Sequence, residues 1–287
     1  GAVIPPRPLL PLPPGVETEV TVEITPLRRG HLRFGGVTIA RPDPLGLIRA
    51  LKSLALPQSL LVLPKRYPMG EIQIAGTRKY QPGGVALAST VGDSEEFVSL
   101  RDYRTGDPMR RIHWKSFARL GRPVVKEYLD EFFVRHALVL DTFTSHPGDP
   151  IFEDAVSVAA SIAISMRTQE SLLDLMFVGP EAYCFTAGRG VAHTEQLLEV
   201  LACVGPCRDK PFRSLHHAVI DRHDLLSGCV CVLVAWDDAR QDLVRHLGAL
   251  GTPTRVFVVG ERATLDRLPG DVHGLEVGRI AEGLACL

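Results

Sequence analysis

The sequence predicts an α+β protein of several parts: a partial N-terminal β-sandwich, a charged helical connector and a C-terminal α/β domain. Three observations carry this reading. Residues 1–75 alternate apolar and polar side chains with period two between turn signals. From residue 134 onward, strongly apolar strands alternate with amphipathic helices. Between them lies the densest charge in the chain, "EFVSLRDYRTGDPMRRIHWKSFAR" at residues 96–119.

In the first part, "ETEVTVEITPL" alternates Val20, Val22 and Ile24 with polar neighbours, the pattern of a half-buried strand. "RGHLRFGGVTIA" reads as strand, Gly-Gly turn, strand, "RPDPLGL" as a turn, and "QSLLVLP" as a further strand ending at Pro64. These strands fall short of the roughly seven of an immunoglobulin-like sandwich. Residues 1–75 are therefore expected to be a truncated immunoglobulin-like segment. Residues 76–131 form the connector, opening with a Gly-, Ser- and Thr-rich loop to residue 95, and residues 132–287 form the α/β domain.

In that domain "VRHALVLD" is a strand ending at Asp141, followed by a helix over "PIFEDAVSVAASIAISMRTQ" with Phe152, Val156, Ala159 and Ala163 on its buried stripe. "LLDLMFV" and "EAYCF" are strands and "HTEQLLEVLACV" is a helix. "GCVCVLVAWDD" is a buried strand reaching Asp237, then helix "ARQDLVRHLGAL" and strand "TRVFVVG". Strands this apolar imply a mostly parallel sheet covered on both faces.

A net charge of −1 argues against nucleic acid as a partner and leaves any electrostatic function to local clusters. No apolar run reaches the ~18–20 residues that span a bilayer. The six cysteines lie in the second half, mostly in apolar segments. They read as buried reduced thiols, with Cys229 and Cys231 on one strand face and Cys203–Cys207 an isolated C-x3-C pair.

In the connector, Asp107–Pro108 reads as a helix start and Gly121 as its end. On such a helix Arg111, Lys115 and Arg119 form one basic stripe. Met109, Phe117 and Leu120 form a packing face that includes His113. Residues 101–126 hold six arginines and two lysines against two aspartates, a local net charge of about +6. Three uses fit. Arg101, Arg110 and Arg119 could pair with Glu95, Glu96, Asp102 and Asp107 in a structural network; the stripe could dock an acidic partner; the arginines could hold a small anion. The candidate binding residues are Arg101, Asp107, Arg110, Arg111, Trp114, Lys115 and Arg119.

In open α/β sheets ligands bind at the carboxyl ends of strands. Asp141 and Asp237 stand at two such ends, and Thr194 at an expected helix start. With Ser145 they supply oxygens suited to Mg2+. The competing expectation is that the aspartates end strands and Thr194 caps its helix.

Here the C-terminal half resembles a Rossmann-like von Willebrand factor A-type domain. Its metal site uses D-x-S-x-S, a Thr and a further Asp; "DTFTS" keeps Asp141 and Ser145 but has Phe143 at the middle serine. The connector matches the pattern E-F-x-x-L-R-x-Y-x-x-G-D-x-x-R-x-I-x-W-K-x-x-A-R of domain-of-unknown-function family 58. The matches are Glu96, Phe97, Leu100, Arg101, Tyr103, Gly106, Asp107, Arg110, Ile112, Trp114, Lys115, Ala118 and Arg119. The resemblance implies a longer, membrane-anchored protein on the cytoplasmic side of the membrane, this chain being its soluble fragment. It also implies a non-enzymatic role as partner or adaptor of a MoxR-type AAA+ ATPase. The alternative is a metal- or anion-dependent hydrolase using Asp141, Asp237 and His113.

Overall fold

The computed structural model describes residues 2–4, 15, 17, 19–43, 45, 47–70, 72, 79–80, 97–107, 109, 112–128, 132–144, 148–166, 171–187 and 191–285. In chain order the first strands are β1 (Ala2–Val3), β2 (Thr25–Pro26), β3 (Gly30–Pro42), β4 (Arg49–Val62), β5 (Lys79–Tyr80) and β6 (Phe97–Asp102). Helix α1 (Trp114–Leu120), β7 (Val124–Tyr128), β8 (Phe132–Leu140), α2 (Pro150–Ser165), β9 (Ser171–Val178), β10 (Ala182–Ala187) and α3 (Val191–Cys203) follow. The chain continues through α4 (Arg213–Ile220), β11 (Gly228–Leu233), α5 (Asp238–Ala249), β12 (Thr254–Gly260), α6 (Arg262–Leu265), β13 (Val272–Glu276) and α7 (Ile280–Ala285).

The main sheet runs β10-β9-β8-β11-β12-β13, with β5 pairing the start of β8. Its path pairs are parallel except β9–β10, which are antiparallel and leave β10 at the edge. Strand alternation sorts the core into two halves. Leu138, Leu140, Val230, Val232, Phe257 and Val259 face one side with Phe152, Leu197, Leu201 and Leu284 of α2, α3 and α7. Ala137, Val139, Cys229, Cys231, Val256 and Val258 face the other with Leu215, Val219, Leu243 and Leu247 of α4 and α5. Burying each large side chain contributes about 1.5–3 kcal/mol. The sequence-derived pattern of a largely parallel, doubly covered sheet therefore stands. Helix α4 is an addition to the elements expected from the sequence: it is eight residues long and buries Leu215 and Val219 on one face.

Helix α2 starts on Asp149, whose carboxylate accepts from the Ile151 N–H, with Pro150 in the first turn. Every residue from Ala155 to Ala163 is buried, far more than one stripe. Cys229 and Cys231 share a face as expected, their sulfurs 3.7 Å apart and buried; the hydrogen bond with the Cys231 thiol, then burial, push Cys229 well up. Cys207 is also buried, whereas Cys203 is exposed; Cys286 lies outside the described residues.

The N-terminal part departs from expectation. Among the described residues there is no sandwich but a two-stranded β1–β2 pair and a long β3–β4 hairpin. Val20, Val22 and Ile24 lie outside any strand and are exposed. The Gly-Gly pair makes no turn: β3 runs through it with a bulge between Phe34 and Gly36. A Cβ on Gly36 would stand 2.1 Å from the Leu54 carbonyl oxygen, so only glycine allows this close approach. The turn is made at "RPDPLGL", where the Ile48 N–H donates to Asp43. The hairpin base is fixed to the α/β domain by Arg29, which ion-pairs with Glu153, donates to the Val204 carbonyl (2.6 Å) and lies over the Phe152 ring. The distal end is apolar and exposed, Leu47 at 80%.

Candidate functional site

Two places gather functional side chains. The first is the crevice between β8 and β11, where the strand order reverses and α/β ligands bind. Asp141 follows β8 directly, and its N–H donates to the Val232 carbonyl. Its carboxylate is wholly buried and accepts from the N–H groups of Phe143 (3.0 Å) and Val234 (3.2 Å). Arg240, in the first turn of α5, adds a fork: Nε to Oδ2 at 2.9 Å and Nη2 to Oδ1 at 3.3 Å. Its Nη1 reaches Asp237, the N-cap of α5, at 2.5 Å, and its guanidinium lies 4.5 Å from the centre of the Phe212 ring. Asp237 itself is half exposed.

Burial alone pushes the Asp141 carboxyl up; Arg240 and the two backbone donors pull it the other way. Burial is the larger influence and leaves the carboxyl above its ordinary value, while the four donors on its two oxygens favour the ionised form. Burial pulls Arg240 down, but Asp141 and then Asp237 more than offset this, so it is held charged.

Of the four expected metal ligands, the three described ones, Asp141, Thr194 and Asp237, are not gathered as a divalent-cation site. The Arg240 guanidinium stands between Asp141 and Asp237, and the donors on Asp141 occupy its lone pairs. Thr194 is the fourth residue of α3, not its cap, and among the described residues it hydrogen-bonds to neither aspartate. Ser145 lies outside the described residues. Among those residues no three His, Cys, Asp or Glu groups are arranged to hold a metal. The resident cation is an arginine. Its only signal in the sequence was its place three residues after Asp237.

The second place is the charged connector. It folds as a strand–helix–strand unit in which β6 pairs antiparallel with β7. The expected helix from Asp107 to Gly121 is cut to half its length. Ile112 bridges Val125, and the His113 N–H donates to the Val124 carbonyl at 2.8 Å, so these two residues are held against β7 and α1 begins only at Trp114. Gly121 ends α1 as expected, at φ 67°. Asp107 does not cap α1, whose N-cap position is His113. It takes a bidentate pair from Arg101 (2.7 and 2.8 Å) and the Arg104 N–H (2.8 Å). Of the proposed stripe, Lys115 and Arg119 are on α1 and exposed; Arg111 and Arg110 lie outside the described residues, as do Pro108, Glu95 and Glu96.

The expected packing face is mostly exposed. Met109, Leu120 and Trp114 (58%) face solvent, Trp114 standing edge-on to Phe117 with centroids 5.9 Å apart. His113 bonds Ser116 at 2.7 Å, and no hydrogen bond or ion pair joins it to Asp141 or Asp237 among the described residues.

The Arg101 hydrogen bonds, then the Arg104 N–H, draw the Asp107 carboxyl down to about 2. A depressed carboxyl adds stability above its unfolded value of about 4. The melting-temperature gap between the native chain and Asp107→Asn is therefore expected to be full above pH 5 and to close as pH falls from about 4 to 2. A gap that is constant with pH would show that the pair does not order this turn.

The chain combines a mixed sheet carrying an Asp–Arg–Asp network at its strand ends with a charged strand–helix–strand unit before it. The family described as "Protein of unknown function DUF58" matches residues 99–269, well over half of the chain, and the chain belongs to it. It is also 29% identical over 185 residues to "Uncharacterized protein YeaD" of Bacillus subtilis (strain 168). That match covers 64% of this chain and 45% of the relative, so the chain spans less than half of that relative's length.

Proposed function

We propose that the protein is a non-catalytic protein-interaction module, with an α/β half of von Willebrand factor A type. In this reading it is the soluble part of a membrane-anchored partner of a MoxR-type AAA+ ATPase, on the cytoplasmic side of the membrane. The observation that carries the reading is the exposed face of the connector unit. Trp114, Phe117 and Leu120 stand with Lys115 and Arg119 on α1, a helix that buries none of its residues, and Met109 is exposed before it in the chain. Exposed aromatic groups next to arginine are what protein interfaces concentrate at their centres. The strand order and the antiparallel edge strand support the A-type assignment. No helix of the described residues is long and apolar enough to cross a membrane. The hydrolase alternative has less support, because Asp141 and Asp237 are held by Arg240 and His113 by Ser116.

The test is binding to an immobilised MoxR-type ATPase. The variant Trp114→Ala/Lys115→Glu/Arg119→Glu is expected to bind at least about tenfold more weakly with an unchanged unfolding midpoint, since a hot-spot truncation costs about 2 kcal/mol or more. Equal affinity in the variant removes this face from the interface. Turnover of a phosphoester panel would favour the hydrolase.

A further inference from the structure

Residues 204–210 separate two cavities. One, of about 520 Å³, lies at the strand ends and is lined by Phe143, Asp149, Arg208, Lys210 and Arg240 among others. The other is a groove of about 1240 Å³ running from this segment along the edge strand β10 and the outer side of α3. Cys207, Arg208 and Lys210 line both. The ridge is fixed from below: the Cys207 N–H donates to the Thr142 carbonyl at 2.7 Å, and its thiol to the Gly179 carbonyl at 3.6 Å.

The charges in the smaller cavity do not balance locally. Arg240 is taken by Asp141 and Asp237. Asp149 accepts from the Thr144 hydroxyl (2.6 Å) and the Ile151 N–H. Arg208 is exposed and Lys210 half-exposed, and neither has a hydrogen bond or ion pair among the described residues. Two cations thus stand over a pocket whose carboxylates are already engaged. The groove is the opposite in kind. Val200, Val204, Phe185 and the stacked pair Phe177–Tyr183 (centroids 5.4 Å apart) give it an apolar floor, and its own acidic residues, Glu199 and Asp209, disfavour a carboxylate there.

We infer that this surface seats a partner-protein segment across the 204–210 ridge, with a carboxylate on Arg208 and Lys210 and adjoining apolar side chains in the groove. The inference rests on the interaction-module reading and names the chemistry of one partner. The carboxylate is bound without a metal ion, by lysine and by an arginine fork free to engage both oxygens. Apolar burial in the groove supplies the affinity, and the cations set the register. A small free anion would use the cations but not the groove.

The experiment reads the whole chain on an array of short peptides, each with a fixed glutamate among randomised apolar positions, beside the same array with glutamine. Retention is expected on the glutamate array and is expected to fall about tenfold or more on the glutamine array and for Arg208→Glu/Lys210→Glu. Chelator should leave retention unchanged, and inorganic phosphate should compete poorly. Equal retention on both arrays, equal retention by the charge-reversed variant, no retention at all, loss with chelator, or displacement by phosphate each overturns the inference. Trp114→Ala/Lys115→Glu/Arg119→Glu is expected to hold the peptides normally. If the arrays fail while ATPase binding still depends on the Trp114 face, only this inference falls.

Discussion

Arg240→Ala is expected to destabilise the α/β domain by about 3–5 kcal/mol, because it leaves a fully buried carboxylate without its countercharge. Asp141 would keep the Phe143 and Val234 N–H groups but lose the guanidinium fork. Asp237 would lose its partner at little cost, being half exposed and still accepting from the Arg240 backbone N–H. Arg240→Lys should recover only part of the loss, since one ammonium cannot span both carboxylates as the fork does. The double variant Asp141→Asn/Arg240→Ala should lose less than the sum of the single changes, because the stranded charge is gone. Urea unfolding followed by circular dichroism measures all four. A loss below about 1 kcal/mol for Arg240→Ala would mean that Asp141 takes up a proton or water in place of the arginine.

Arg135→Ala is expected to have a similar effect for a related reason. Arg135 on β8 holds the fully buried Asp174 of β9 through Nε (2.7 Å) and Nη2 (3.1 Å), and reaches Thr186 of β10 at 3.1 Å. One side chain thus joins three adjacent strands, the last of them at the sheet edge. Its loss should cost about 3–5 kcal/mol. The effect should be visible as faster amide hydrogen exchange in β10 before the rest of the sheet. Uniform acceleration across the sheet would argue that the pair supports global stability without pinning the edge.

The α/β half was legible because its signals are local. A short, valine-rich run such as "GCVCVLVAW" reads as a strand buried on both faces, and its period places Cys229 with Cys231. The helix read from Pro150 onward begins there, as Gly121 closes α1 in the connector, through backbone rules needing no distant partner. Val20, Val22 and Ile24 show the limit of such reasoning, since alternation predicts a strand only where something pairs with it.

The connector failed for the same reason in reverse. Asp107–Pro108 is a sound capping signal, but Arg101 claims the Asp107 carboxylate and Ile112 pairs with Val125, so α1 begins only at Trp114. The alternation of strands and helices, the two-faced core and the family motif can be read from the chain, because they depend on residues within a few positions of one another. What stands at the strand ends depends on residues that folding brings together. Arg240 lies 99 residues from Asp141, and in "DDARQDL" it reads as a surface arginine of a polar helix. Packing of α5 against the sheet buries it, and buried charge of one sign selects its partner from wherever the fold brings the other.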